Sequence, residues 1–286
     1  MTMSEKLLFS IQAGIGSAIN DLIWYSVAAG VLSLLFQLVF RRTMAPRKII
    51  RRFASVNQLG VEVARSLRSI SIFGVVTILI VYLALHGYTK LYDNIDKYGA
   101  AWFVASIFVA VIIHDTYFYW THRLMHGRRL FKKFHRTHHL STNPTPWAAY
   151  SFSTGEALVQ AGIGPLLVFT MPMHGLAFLL FMTWQIAFNV FGHCGYEVFP
   201  RWFLDSWAGK LLNTPTHHAL HHEKIRGNYG LYFNIWDRMM STNHPDYRSR
   251  FERATHASCV MGTTDPTPIK DPGDKSAQIR PSRNFD

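Results

Sequence analysis

Six of the fifteen histidines fall between His114 and His139, in the stretch HDTYFYWTHRLMHGRRLFKKFHRTHH. His122 and His126 stand four residues apart, and His135, His138 and His139 form an HxxHH box. A second HxxHH box, His218, His221 and His222, lies downstream in THHALHH. On a helix, positions i, i+3 and i+4 share one face, so each box is expected to present its rings together. Neutral imidazole is a good donor to Fe, Zn, Cu and Ni, and its second nitrogen can be held by an acceptor that fixes the ring. The boxes supply eight nitrogens, and His193 in FGHCGYE is a candidate ninth. A structural zinc takes four ligands, so this number predicts two metals with room for a small exogenous ligand.

Other residues near the boxes are candidates for supporting roles. Asp115, seven residues before His122, shares its helical face, and Tyr119 is three before His122 and seven before His126. His217 adjoins the downstream box, and Glu156, Glu197 and Asp237 are further candidate acceptors. Thr216, with Pro215 ahead of it, is expected to cap the helix that carries the second box. His86, His174, His244 and His256 read as ordinary hydrogen-bonded histidines, and His114 and His217 as neighbours of the site and not ligands.

Positioning such rings requires a scaffold, and the composition points to a membrane one. Hydrophobic residues make up 49% of the 286 positions and charged residues only 16%, against about 25% in a soluble domain. The net charge of +12 is carried by basic residues beside apolar runs: Arg41, Arg42, Arg47, Lys48, Arg51 and Arg52 directly follow one. That is the positive-inside pattern, and it excludes nucleic acid as the partner. Two distant cysteines, Cys194 and Cys259, argue against a disulfide framework. The first twenty residues show no clean apolar core with a small-residue cleavage site, so no cleavable signal is expected.

Apolar runs at Leu22 to Phe40, Ile70 to Leu85 and Gly99 to Trp120 predict three crossings. Two more, Ala157 to Met171 and Met173 to Phe191, form a hairpin whose first arm contains Gly162, Gly164 and Pro165 and is expected to be broken. The expectation is therefore an all-α integral membrane protein. Four or five transmembrane helices would stand beneath a cytoplasmic, histidine-rich helical cap holding a dimetal site. Charge bias puts both HxxHH boxes on the cytoplasmic side. The chain divides into an N-terminal transmembrane region (1–98), a catalytic region (99–255) and a flexible tail (256–286).

The boxes HRLMH, HRTHH and HALHH, with the lead-in DTYFYW, resemble the fatty acid hydroxylase and sterol desaturase superfamily. GNYGLYFNIWDRMMST resembles the segment after that family's last box, and NPTPWAAYSF the one after its second. The resemblance implies two non-haem irons that use O2 and two external electrons to hydroxylate or desaturate a lipid. The implied iron ligands are His122, His126, His135, His138, His139, His193, His218, His221 and His222. Asn189, one turn before His193, stands where the fatty acid hydroxylase branch can have another histidine. Ser153-Thr154 replaces the His-Pro of many sterol-desaturase-like members, so the resemblance implies a lipid without specifying a sterol. No His-Pro-Gly-Gly signature of a cytochrome b5 domain is present. Electrons are therefore expected from a separate carrier such as ferredoxin or cytochrome b5 with its reductase.

Two other functions compete with this reading. One keeps the chemistry and changes the substrate to an amino-lipid, sphingoid or ether lipid. The other is a membrane metal transporter, which would place its ligands near the bilayer midplane on broken helices. Trp120, Trp147, Tyr150 and Trp207 are candidates to line a lipid passage, with an interfacial aromatic belt as the alternative.

Overall fold

In a computed structural model, which describes residues 1–256, four helices are long and apolar enough to cross a membrane. The first, α1 (Met3–Leu34), continues as a π-helical turn over Leu35–Val39. It starts well before the apolar run at Leu22, because Thr2 and Glu5 form a reciprocal capping box at its N-terminus. Next come α2 (Val56–Ala84), started by the Ser55 side chain accepting from the Gln58 N–H, and α3 (Gly99–Met125). The broken arm is a pair of eight-residue helices, α4 (Thr154–Ala161) and α5 (Ile163–Thr170), followed by α6 (Gly175–Gly192). The tail assigned to 256–286 lies, beyond His256, outside the described residues.

The helices pack through small residues where backbones approach. A Cβ on Gly14 of α1 would meet the Gly74 carbonyl oxygen of α2 at 2.6 Å, and one on Gly74 would meet Ala18 Cβ at 3.0 Å. Close backbone approach recovers dispersion contact that lipid tails would otherwise supply equally well. One turn on, Ser17 and Thr77 hydroxyls bond across the same interface at 3.2 Å. Large apolar side chains such as Val31, Leu79, Phe108 and Leu180 point outward and stay exposed, as lipid-facing positions do.

The two ends of the bundle differ. At one end β1 (Leu91–Tyr92) pairs in parallel with β2 (Met173–His174), joining the α2–α3 loop to the α5–α6 turn. The pair α4–α5 thus runs from the histidine end to this opposite end, beside the four long helices. At the histidine end, the segments 126–153 and 193–256 fold over the helix ends. The basic stretch after α1 docks there: Ile49 N–H donates to the Gly195 carbonyl, and Arg47 donates to the carbonyls of Glu197 and Phe199. The second box lies on α7 (Pro215–Lys224) and the described chain closes with α8 (Tyr247–His256).

The Gly14–Gly74 crossing gives a direct check. Gly14→Leu should destabilise the protein by about 1–3 kcal/mol through overpacking. Gly16→Ala, where an added Cβ has nothing within 4 Å, should not. Thermal unfolding in mild detergent measures both.

Candidate metal centre

The nine histidines proposed from the boxes and from His193 converge at the end of the bundle, and they separate into two groups. His122, His126, His135, His139 and His221 form one; His138, His193, His218 and His222 form the other. Within each group the candidate ligand nitrogens all lie within 4.8 Å of one another. Eight of the nine rings are buried, His126 being half-buried.

The grouping does not follow the boxes. In the first HxxHH, His135 and His139 enter the group of five while His138 enters the group of four. In the second, His218 and His222 enter the group of four while His221 enters the group of five. Each HxxHH box therefore serves both groups, whereas His122 and His126 both enter the group of five. The local backbone explains part of this. The first box is not on a regular α-helix: His135 ends a π-helical turn (Phe131–His135) and His138 starts a 3₁₀ turn (His138–Leu140). The second box is on α7, where His221 and His222 face adjacent groups, the His139 ring lying 4.6 and 4.9 Å from them. Its cap is Thr214, whose side chain accepts from the His217 N–H, with Pro215 at the first helical position. Thr216, the expected cap, instead donates its hydroxyl to Glu197 at 2.6 Å.

Hydrogen bonds at Nδ1 decide which ring nitrogen faces inward. His122 Nδ1 donates to the Tyr229 carbonyl (2.8 Å), His221 Nδ1 to Gly227 (2.7 Å), His222 Nδ1 to Ser141 (3.0 Å) and His193 Nδ1 to Asn189 (2.7 Å). A carbonyl only accepts, so the proton of each neutral ring is on Nδ1 and Nε2 presents a bare lone pair. Those Nε2 atoms confront other Nε2 atoms. His193 and His222 stand 3.0 and 3.2 Å from His218 Nε2, and His122 stands 2.9 Å from His135 Nε2. His218 has one N–H at most, so it can satisfy only one of its two neighbours. His221 Nε2 is buried with no hydrogen-bond partner. Lone pairs aimed at one another in a dry interior are costly unless a cation sits among them. The donor set fits two metal ions: five nitrogens for one and four for the other.

Burial keeps the rings neutral. It lowers His193 to about 4 and His139 to about 3, with the neighbouring imidazoles lowering them further. His135, His138, His218, His221 and His222 fall well below the ordinary imidazole value for the same two reasons. His135 has a carboxylate partner, Glu156 Oε1, at 2.6 Å from Nδ1. Burial pushes the Glu156 carboxyl well above the ordinary carboxyl range. A dication at His135 Nε2 would reverse that preference, because the charge favours carboxylate and a proton on Nδ1.

The other supporting residues act through the backbone. Asp237 accepts from the N–H groups of Tyr229 (2.9 Å) and Gly230 (2.6 Å) and from the Thr242 hydroxyl (2.7 Å). Asp115 accepts from the N–H groups of Tyr232 and Phe233. The Tyr119 hydroxyl bonds Thr242, and His217 lies against Asp237 at 3.3 Å while its carbonyl accepts from the Asn228 side chain. All four hold the segment 227–242, whose carbonyls at Gly227 and Tyr229 in turn orient His221 and His122. They do not contact the ligand rings through hydrogen bonds, as had been expected for Asp115 on the shared face of its helix. Gly227 is required in this segment: its φ is +82° and a Cβ would meet the Thr242 carbonyl oxygen at 2.7 Å. Asn189 sends its side chain to the Ala149 carbonyl, so it is turned away from the nitrogens, and its backbone holds His193. His114 bonds the Tyr232 hydroxyl at 2.9 Å and joins neither group.

Glu156 was one of several equal candidates in the sequence. Its signal was Ser153-x-x-Glu156, which reads as a capping box. Ser153 does cap α4, but the glutamate side chain leaves the cap for His135. The carbonyl acceptors had no sequence signal at all, since every residue carries one.

Two outcomes follow. Glu156→Gln should weaken metal retention by about 10–100-fold while the fold persists; dialysis against graded chelator followed by metal analysis checks it. For pH the sign runs downward. The unfolded chain binds protons below an imidazole's ordinary value near 6.5, whereas the folded rings stay neutral to about 4 or lower. Stability should therefore be full above pH 7, fall as pH drops through 6.5, and be largely lost by pH 4, together with bound metal. Thermal midpoints and metal content measured across that range test it.

The family model for fatty acid hydroxylase matches residues 107–242. Rat (Rattus norvegicus) lathosterol oxidase is 31% identical over 216 residues, covering 73% of this chain and 68% of the relative. A Delta(7)-sterol 5(6)-desaturase of Gibberella zeae is 34% identical over 185 residues, covering 63% of this chain and 55% of the relative. A second such desaturase, from Schizosaccharomyces pombe, is 28% identical over 207 residues, with 72% and 65% covered. The chain thus spans between about half and two thirds of the length of these relatives. No solved structure matches it. With the family model lying over all three histidine boxes and with relatives that are sterol desaturases and oxidases, the chain belongs to the fatty acid hydroxylase and sterol desaturase superfamily.

Proposed function

We propose that this protein is a membrane-bound non-haem di-iron oxidoreductase that uses O2 and external electrons to desaturate or hydroxylate a lipid. The observation that carries the reading is the division of nine inward-turned imidazoles into groups of five and four, with bare Nε2 atoms facing one another. Nitrogen donors suit several metals; iron is the reading because the named relatives are oxidases and desaturases. Bound there, two irons would supply the redox chemistry that activates O2 and takes hydrogen from an unactivated C–H bond. The chain's own contribution is to hold the rings neutral, fix four of their tautomers through backbone carbonyls, and keep bulk water out by burial.

The overall change balances in either outcome. Hydroxylation joins one oxygen atom to the lipid and sends the other to water, with two electrons and two protons supplied. Desaturation removes two hydrogens from the lipid and, with two further electrons and two protons supplied, sends both oxygen atoms to water. Desaturation of a sterol is the favoured form, since the relatives' names state it. An amino-lipid, sphingoid or ether-lipid substrate has no such support. The transporter reading is not favoured either: the nitrogens are gathered at the end of the bundle past α3 and α6 and not at its middle. The basic residues of 41–52 and 128–136 stand at that same end, which supports a cytoplasmic site by the positive-inside rule. An acidic carrier protein of the ferredoxin or cytochrome b5 kind would find complementary charge there.

Protein purified without oxygen should hold close to two irons per chain by elemental analysis. His138→Ala, from the group of four, and His221→Ala, from the group of five, should each lower the metal content and reduce product formation by at least 100-fold. Full activity in either variant would sink the assignment. Lipid mass spectrometry under 18O2 separates the outcomes: labelled oxygen in the lipid marks hydroxylation, loss of two hydrogens marks desaturation, and an unchanged lipid pool counts against both.

A further inference from the structure

A cavity of about 270 Å³ opens inside the helical bundle next to the histidine groups. Phe118 and Phe152, which line it, pack on the rings of His122 and His138 at 5.0 and 5.2 Å. Its volume is near the lower end of ligand sites. The walls are largely apolar, but one side carries Asp21, Tyr150 and Gln185. Asp21 is inside α1, and its carboxyl is 3% exposed. Its hydrogen-bonding neighbour is the Asn20 side chain, and it forms no ion pair among the described residues. Among those residues, too, no lysine or arginine lines the cavity. An acidic group within a membrane-spanning helix is expensive, and it ordinarily faces a partner or a pathway.

We propose that Asp21, with Tyr150 and Gln185, binds the hydroxyl group of an otherwise apolar lipid and so orients it toward the metal centre. The inference rests on the lipid-oxidase reading and deepens it. The donor and acceptor pattern selects the ligand. Gln185 donates its amide to the Tyr150 oxygen at 2.7 Å, which leaves the phenolic proton free to donate. Asp21, one turn from Tyr25, whose ring stacks on Tyr150 at 5.8 Å, is within electrostatic reach of Tyr150 and supplies an acceptor. A hydroxyl both donates and accepts, so it answers Asp21 and Tyr150 together. An ammonium donates only and would leave the Tyr150 proton unanswered. A carboxylate or phosphate offers no proton for an Asp21 oxygen to accept. Tyr150 is linked to His138 through Phe152 by ring contacts of 6.0 and 5.2 Å.

The test uses the purified, metal-loaded full chain in detergent and two probe pairs: tritiated lathosterol with its 3-deoxy analogue, and hexadecan-1-ol with hexadecane. One net hydrogen bond to a charged group corresponds to about a tenfold or larger preference for the alcohol. At least one alcohol should show that preference in the unmodified protein, and Asp21→Leu should bring the ratio close to one. Tyr150→Phe should lower it several-fold. Metal content in both variants should match the unmodified protein, which separates loss of this contact from loss of the fold. Equal binding of alcohol and deoxy analogue in the unmodified protein, which requires no variant, overturns the proposal. So does a stronger preference for the 3-amino analogue, or a ratio that survives both substitutions. If the hydroxyl preference holds but no lipid is oxidised under O2, the hydroxyl site stands and the oxidase reading fails. If lipid is oxidised without that preference, the reverse is true.

Discussion

Ring nitrogens turned toward one another in a dry interior are the constraint from which the rest of this structure follows. Nothing in a folded chain gains by placing the bare Nε2 of His193 and His222 about 3 Å from that of His218, unless a cation is to stand between them. To keep the rings in that attitude, five of the nine have an acceptor at Nδ1. The chain provides these from Gly227, Tyr229, Ser141, Asn189 and Glu156. The acceptors must themselves be held, and that requirement spreads outward. Asp237 and Asp115 grip the backbone N–H groups of the segment beyond Gly227, and Tyr119 and His217 brace it from either side.

The bundle answers a different demand. Helices in lipid gain little from apolar contact with one another, so α1 and α2 approach through Gly14 and Gly74 and fasten through Ser17 and Thr77. That economy leaves the polar interior for function. The kinked pair α4–α5 is tolerated because it is packed against neighbours, and its start delivers Glu156 to the first histidine group. The same bundle encloses a cavity that touches both histidine groups through Phe118 and Phe152 and carries the buried Asp21 carboxyl group on its wall. Scaffold, metal ligands and lipid space are thus parts of one arrangement. Of the four aromatics considered for a lipid passage, Tyr150 lines this cavity, whereas Trp120 and Trp207 are exposed.

By itself the sequence pointed to the class of the protein and to the histidines that come together. Apolar runs of bilayer length, interrupted by basic clusters, allow few structures other than a helical bundle in a membrane. Eight of the nine histidines could be named as candidates because ligand chemistry is a property of residue type and the box spacings are particular, whereas His193 stood alone and was singled out through the family resemblance of its segment. The break in the fourth apolar run was legible from Gly162, Gly164 and Pro165, since backbone propensity is local. What only the tertiary structure decided was partnership. Helical spacing says that His135, His138 and His139 lie near each other; it does not say that His138 will cross to a second group to meet His193 and His218. Asp21 stands just ahead of the first apolar run in the sequence and became part of a cavity wall only through the packing of α1 in the bundle. Backbone carbonyls at Gly227 and Tyr229 are invisible to any residue pattern, because all residues have them. Contacts between elements a hundred residues apart depend on how helices pack, and local chemistry does not encode that.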